Sequence, residues 1–105
     1  MTVGQLQDGN SPWKKQIALF LASQLVQRLQ EHVLENMRGM PECQPGGPGA
    51  RNKDIEETAG LGLELPYQDG WLTWSILYSL IAKGLVEAVI SGHGKARRNR
   101  YRLSR

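Results

Sequence analysis

The sequence has a single cysteine, a single phenylalanine and no long apolar run. One cysteine excludes an internal disulfide and is typical of a reducing compartment. The apolar run over residues 17–22 has six residues, whereas a membrane-spanning helix needs about 20. The first residues show no secretory signal pattern. We therefore expect a cytoplasmic protein without a membrane partner.

Residue types that carry catalysis or bind metals are few. The two histidines, His32 and His93, and the lone Cys43 show none of the spacings of a metal site or of a nucleophile with its base. The glycines within residues 46–49 do not form a phosphate-binding loop, because no Lys-Ser/Thr ending follows them. The carboxylates within residues 52–60 are most simply the charges of a helix start. We therefore expect no enzyme, and no residue set implies a cofactor.

Charge is distributed unevenly along the chain. The 105 residues carry a net charge of +3, but residues 1–82 hold six Lys/Arg against nine Asp/Glu, while residues 83–105 hold seven against one, a net +6. Such an asymmetry indicates an anionic partner. Five basic residues that fall within eight positions fit the neutralisation of phosphates; they are Lys95, Arg97, Arg98, Arg100 and Arg102. The alternative is a solvated basic tail.

The length predicts one domain. We assign it to residues 11–105, after a polar N-terminus, residues 1–10, that we expect to be mobile. Ser11 and Pro12 are typical first residues of a helix, and no helix breaker follows before Gly39. The sequence therefore predicts a long helix over residues 11–38, about 40 Å in length.

The long helix has more apolar positions than one face can bury. One series recurs every four residues and another every seven, so that part of this surface would stay exposed in a monomer. Exposed apolar surface of this extent usually marks an interface. We predict a homodimer with these contacts: Ile17, Leu21, Leu25, Val26, Leu29 and Val33. The alternative is a small domain that wraps the helix completely.

The middle of the chain contains two connecting segments and a short helix. Residues 39–51 are rich in glycine and proline, which predicts a flexible connector without a site. A short helix over residues 52–60 follows, with Asn52 as its cap. Residues 61–69 then form an extended connector, at whose end Asp69 would cap the next helix.

The last third of the chain changes from helical to strand periodicity. Apolar residues recur every four positions from Leu72, which predicts a helix over residues 70–83. Alternating residues on both sides of a glycine-rich turn predict a hairpin over residues 85–103, with Tyr101 and Leu103 facing the core. The predicted class is therefore mainly α with a small β-hairpin (α+β).

This order of elements ends in two short motifs, Lys-Gly-Leu-Val-Glu at residues 83–87 and a basic run before Tyr-Arg-Leu at residues 101–103. Over residues 52–104 the chain resembles the winged helix-turn-helix superfamily, and most closely PadR-type and MarR-type bacterial regulators. Mrr-type restriction proteins share the same ending in their N-terminal domains. The resemblance implies a winged helix domain whose third helix enters the major groove and whose hairpin, the wing, contacts the DNA backbone or minor groove.

Under this resemblance, the DNA contacts include the five basic hairpin residues and a set near the third helix: Asn52, Trp74, Ser75, Tyr78, Ser79 and Lys83. The exposed face of that helix has no Arg, Asn or Gln, the residues that, with Lys, dominate direct base reading. We therefore expect a dimeric DNA-binding protein, a transcriptional regulator or a DNA-associated accessory factor, that binds double-stranded DNA mostly by electrostatics. The alternative is a protein–protein interaction module that uses the Trp and Tyr face without binding DNA.

Overall fold

The computed structural model describes residues 12–63, 69–92, 94 and 98–105. These residues form three α-helices, one 3-10 helix and one antiparallel pair of strands: α1 (Pro12–Arg38), the 3-10 helix Pro41–Cys43, α2 (Asn52–Ala59), α3 (Trp71–Ala82), β1 (Val86–Ser91) and β2 (Arg98–Leu103). The predicted α+β class is confirmed. The predicted mobile N-terminus and Ser11 lie outside the described residues.

Helix α1 packs against the domain only through its C-terminal third. Its buried residues are Gln30, Val33 and Met37, one face at spacings of three and four, while residues 15–28 are exposed. The helix ends before Gly39, as predicted. Beyond that end, the Nε2 of Gln44 donates hydrogen bonds to the carbonyls of Met37, Arg38 and Met40 at 2.8–3.2 Å. These bonds satisfy carbonyls that a helix end leaves without intrahelical partners.

The segment over residues 39–51 is folded into the core, so the prediction of a flexible connector is wrong. Cys43 and Ala50 are buried, and Ala50 exchanges two backbone hydrogen bonds with Tyr101, at 2.9 and 2.8 Å. The segment therefore adds a one-residue bridge to the free edge of β2. At Gly49, with a φ of 81°, a Cβ would come within 3.0–3.2 Å of Arg100 and Tyr101. This close approach requires glycine.

Both predicted helix caps are wrong. Helix α2 begins at Asn52 itself and its N-cap is Arg51, without a side-chain cap bond. The Nδ2 of Asn52 instead donates to the carbonyl of Gly70 at 3.1 Å, which joins α2 to the start of α3. The N-cap of α3 is Gly70, with a φ of 80° and no side-chain cap bond, and not Asp69. The predicted end of α2 at Gly60 is confirmed, since Gly60 is its left-handed C-cap.

One core joins the three helices to the hairpin. Helix α3 buries Thr73, Ile76, Leu77 and Leu80, in agreement with the predicted stripe, although Leu72 is only half-buried. The stripe lies in one cluster with residues of the other elements: Val33, Met37, Ile55, Val86, Tyr101 and Leu103. Val33 is fully buried in this core, so its prediction as a dimer contact is wrong. Leu29 is half-buried and packs against the same core.

The hairpin pairs Val86 with Leu103 at its inner end and Ser91 with Arg98 at its outer end. Because side chains alternate along a strand, Tyr101 and Leu103 face the core and are buried, as predicted. The three arginines of β2 lie on the other face. Burial decreases outward, so that Ile90 is exposed. The outer end of the hairpin therefore extends beyond the core.

Candidate nucleic-acid interface

Arg102 is bound into the fold. Its Nε donates to Glu87 Oε1 at 2.6 Å and its Nη1 donates to the carbonyl of Gly47 at 2.7 Å. The Arg102 side chain is 26% exposed. These contacts hold the segment around Gly47 on β2, so that two of the five N–H donors of this predicted DNA contact are used within the protein.

Arg100 occupies an intermediate position. It is half-buried, and its Nη1 donates to the carbonyl of Gly49 at 3.3 Å. The pKa of Asp54 is lowered, chiefly by the hydrogen bonds that Arg51 donates to it and to a smaller extent by the charge of Arg100. Arg100 therefore lies near the first turn of α2 and keeps part of its guanidinium free for a phosphate.

Arg98 is the hairpin cation with the fewest contacts in the part of the chain that the structure describes. It is exposed at the outer end of β2, opposite Ser91. The ion pairs formed between described residues are Arg38–Glu35, Arg51–Asp54 and Arg102–Glu87, and none of them uses Arg98. The side chain is therefore available to an anionic ligand. The predicted contacts Lys95 and Arg97 lie outside the described residues.

The exposed face of α3 is aromatic. Trp71, Trp74 and Tyr78 are 64%, 42% and 49% exposed, as predicted from the spacing of the buried stripe. The ring centroids of Trp74 and Tyr78 lie 4.3 Å apart, with the rings tilted by 42°. Ser75 is half-buried beside them. This face offers flat apolar rings and hydroxyls to a ligand, but no cation.

Two of the predicted DNA contacts on α3 point to α1 instead. The Nε2 of Gln30 donates to Ser79 Oγ at 2.9 Å, and Lys83 Nζ donates to Gln30 Oε1 at 2.7 Å. Ser79 Oγ also donates to the carbonyl of Ile76 at 2.6 Å. Ser79 and Lys83 therefore join two helices. Gln30 was not among the predicted site residues, although its spacing from Val33 and Met37 places it on the buried stripe.

The aromatic face of α3 adjoins the hairpin. The pKa of Tyr101 is raised, chiefly by burial and then by Tyr78. Asn99 lies two residues before Tyr101 on β2 and is exposed. We call Trp74, Tyr78, Arg98 and Asn99 the α3–hairpin surface. Asn99 is a residue type that reads bases; it was not among the predicted contacts, because the family resemblance places base reading on the helix.

Asn52 and the remaining candidate side chains serve the fold. The amide of Asn52 is engaged with Gly70, and His32 Nε2 lies 2.7 Å from the carbonyl oxygen of Ala59. Burial, and then the charge of Glu42, raises the pKa of Cys43 to about 11. Within the described residues no group of three or more His, Cys, Asp or Glu could hold a metal ion. No helix in the same part of the chain has the length and apolarity to cross a membrane.

No family model, no curated protein and no solved structure matches this chain. The order of three helices followed by an antiparallel hairpin agrees with the sequence prediction. The resemblance to winged helix regulators stays a prediction from the sequence.

Proposed function

We propose that this protein binds double-stranded DNA through the α3–hairpin surface, as a winged helix regulator or DNA-associated accessory factor. The observation that carries the proposal is the exposed Arg98 at the outer end of the hairpin, in a domain whose helix α3 packs against β1 and exposes Trp74 and Tyr78. An exposed cation and exposed flat rings on one small domain suit a ligand that presents phosphates next to sugars and bases.

The charge of the C-terminal segment supports this proposal. Residues 83–105 carry a net +6, and the one acidic residue among them, Glu87, is already paired with Arg102. The remaining cations, together with Lys95 and Arg97 of the same run, are concentrated within a short stretch of chain. An unbalanced positive charge of this kind raises the local concentration of a polyanion and the rate at which it associates.

The residue types predict which side chains contact phosphates and which contact sugars or bases. Arg98 contacts phosphates, which positions the protein without specifying a sequence. Trp74 and Tyr78 pack on sugars or on a thymine methyl, and Asn99 can pair with an adenine edge. Because Arg102, Ser79 and Lys83 are engaged within the fold, we expect a modest sequence preference superimposed on strong electrostatic binding.

The exposed tryptophans favour a second candidate function. Trp71 and Trp74 are 64% and 42% exposed, and Trp and Tyr are enriched among the residues that dominate protein–protein interfaces. A protein-interaction module without DNA binding would use this aromatic face and leave the basic hairpin unused. The two functions make opposite predictions for a DNA-binding experiment.

Fluorescence anisotropy with a labelled duplex of random sequence tests the proposal. We expect binding at about 50 mM salt that weakens steeply towards 200 mM, as counterion release requires. Replacing Arg98 or Trp74 with Ala should weaken binding, whereas the matched variant Arg28→Ala should not, because Arg28 is an exposed cation of α1 outside the α3–hairpin surface. The absence of binding at low salt would contradict DNA binding and favour the protein-interaction module.

A further inference from the structure

The N-terminal half of α1 projects from the domain and packs against no other described element. We call residues 13–26 the arm; it is about 20 Å long at 1.5 Å per residue. Its large apolar side chains are exposed: Trp13, Ile17, Leu19, Phe20, Leu21, Leu25 and Val26. The first fully buried residue of α1 is Gln30. An isolated helix of this length is marginal in water, so the arm needs a packing partner.

The apolar residues of the arm surround the helix. Ile17, Leu21 and Leu25 form a series at spacings of four, while Leu19 and Val26 continue the stripe that becomes the core face at Val33. A helix that is hydrophobic on all sides is normally buried. The arm therefore differs from an ordinary surface helix, which would keep one side polar.

The exposed apolar area is large enough for a stable interface. The seven side chains are exposed by 39–67%, which, at about 150–250 Å² for a large apolar side chain, amounts to roughly 800 Å². The largest apolar patch on a typical monomer is about 300–600 Å². A standard protein–protein interface buries about 800 Å² on each partner. The arm thus exposes about as much apolar area as one side of a standard interface, and a partner that lies along one side of the helix covers part of it.

From these observations we infer that the arm packs antiparallel against the arm of a second copy of this chain. Between residues 12 and 30 the charged residues are Lys14, Lys15 and Arg28, and at helical spacing Lys15 shares the side of Leu19, Ala22 and Val26. Parallel pairing along that side would bring Lys15 beside its own copy. Antiparallel pairing that crosses between Ala22 and Ser23 places Lys15 opposite Gln30 of the partner subunit, so that charge favours this direction.

The shape at the crossing agrees with this arrangement. An open groove of about 410 Å³ lies at the base of the arm, lined by Leu19, Ala22, Ser23, Val26, Gln30 and Lys83. The small side chains of Ala22 and Ser23 allow two helices to approach closely at the crossing. In the same register Leu19 lies opposite Val26 of the partner subunit. Each arm would therefore cover the groove of the other, which is the self-complementary contact that a twofold dimer needs.

Sedimentation velocity at about 10 µM tests the dimer, and it does not depend on DNA binding. The full chain should sediment as a dimer. The double variant Leu19→Glu, Val26→Glu should raise the dimer dissociation constant at least about 30-fold. Any loss of helical circular dichroism should be limited to the unpacked arm, because both side chains are exposed in the single chain and do not support the core. The matched variant Leu85→Glu, which changes an exposed leucine outside the arm, should stay dimeric. A monomeric wild type, or a dimer that survives the double variant, would overturn the inference.

Oxidative cross-linking tests the direction of the pairing. Ser23→Cys should form a disulfide with its own copy, because residues at the crossing approach to about the 4–7 Å between Cα atoms that a disulfide spans. Lys15→Cys should not, because antiparallel arms separate the two copies of residue 15 by more than about 20 Å. Self-cross-linking at position 15 without cross-linking at position 23 would indicate parallel arms and overturn this arrangement.

Discussion

Two arginines on the same face of β2 should respond oppositely to replacement by alanine. Arg102 donates to Glu87 and to the carbonyl of Gly47, whereas Arg98 is exposed and forms no ion pair with a described residue. Because of this difference, Arg98→Ala should weaken DNA binding without changing stability. Arg102→Ala should mainly lower the free energy of unfolding.

The magnitudes follow from the contacts. The Arg102–Glu87 pair is partly exposed, at 26% and 45%, so it contributes at most about 1 kcal/mol. The charged hydrogen bond to Gly47 adds roughly 1.5 kcal/mol. Arg102→Ala should therefore lower the free energy of unfolding by about 1.5–2.5 kcal/mol, and each kcal/mol shifts Tm by about 4–8 °C for a domain of this size. Arg98→Ala, at an exposed site, should stay within about 0.5 kcal/mol.

The assay combines thermal unfolding with DNA titrations at several salt concentrations. Loss of one phosphate contact reduces the slope of log K against log salt by about 0.9, so Arg98→Ala should give a slope shallower by about that amount. Arg28→Ala is the control for a general change in charge. An unchanged slope for Arg98→Ala, together with a reduced slope for a fully folded Arg102→Ala, would refute this assignment of roles.

Three further predictions concern the core and its polar groups. The buried hydroxyl of Thr73 has no hydrogen-bond partner among the described residues, so Thr73→Val should raise the free energy of unfolding by about 1 kcal/mol, and chemical denaturation that shows a loss would contradict this. Gln30→Ala should cost about 1–2 kcal/mol, because it removes hydrogen bonds to Ser79 and Lys83, and in a double-mutant cycle with Lys83→Ala the two losses should be less than additive. Cys43, buried and with its pKa raised to about 11 from 9.0, should react with iodoacetamide at pH 8 only as fast as the protein unfolds. Because the folded state raises this pKa, its contribution to stability is complete below about pH 9 and is lost as the pH rises through about 11; rapid alkylation of the native protein would contradict the burial.

Local sequence patterns predicted an element well where its position depends on the spacing of apolar residues or on a glycine that ends a helix. The four-residue series from Leu72 predicted α3, the alternation around Tyr101 predicted β2, and Gly39 and Gly60 marked two helix ends. These features follow from the periods of helices and strands and from the conformational freedom of glycine. They require no knowledge of what each element packs against.

Long-range contacts could not be read from the same patterns. The glycine and proline content of residues 39–51 predicts a loop, but the hydrogen bonds between Ala50 and Tyr101 and between Arg102 and Gly47 join positions about 50 residues apart in sequence. Such pairs depend on tertiary packing, which the local composition of a segment does not reveal. The fixed position of this segment therefore became visible only in the folded chain.

The misassigned dimer contact at Val33 has a geometric cause. With 3.6 residues per turn, positions four apart turn by about 40° at each step around the helix. The series that includes Ile17, Leu21, Leu25 and Leu29 therefore moves gradually around α1. It begins on exposed surface at Ile17 and reaches the buried face at Val33. From the four-residue spacing alone, all members of the series were predicted to lie on one exposed surface.

Only part of the candidate site was predicted, because the spacing of residues along one helix does not show which other element packs beside it. The exposed aromatic residues of α3 followed from its buried stripe, but the stripe does not reveal which neighbour lies beside each flank. Gln30 approaches one flank and engages Ser79 and Lys83. The hairpin packs on another side of α3, where Tyr78 contributes to the raised pKa of Tyr101. The surface that remains free is therefore smaller than the one the helix pattern predicted.

Amide chemical-shift mapping with an unlabelled random duplex at about 50 mM salt tests the central claim most directly. If the α3–hairpin surface binds DNA, the largest changes should occur at the amides of Arg98 and Asn99 and on α3 around Trp74 and Tyr78. The amides around Arg28 should stay unchanged. Changes confined to the arm, or no changes at saturating duplex, would contradict the account.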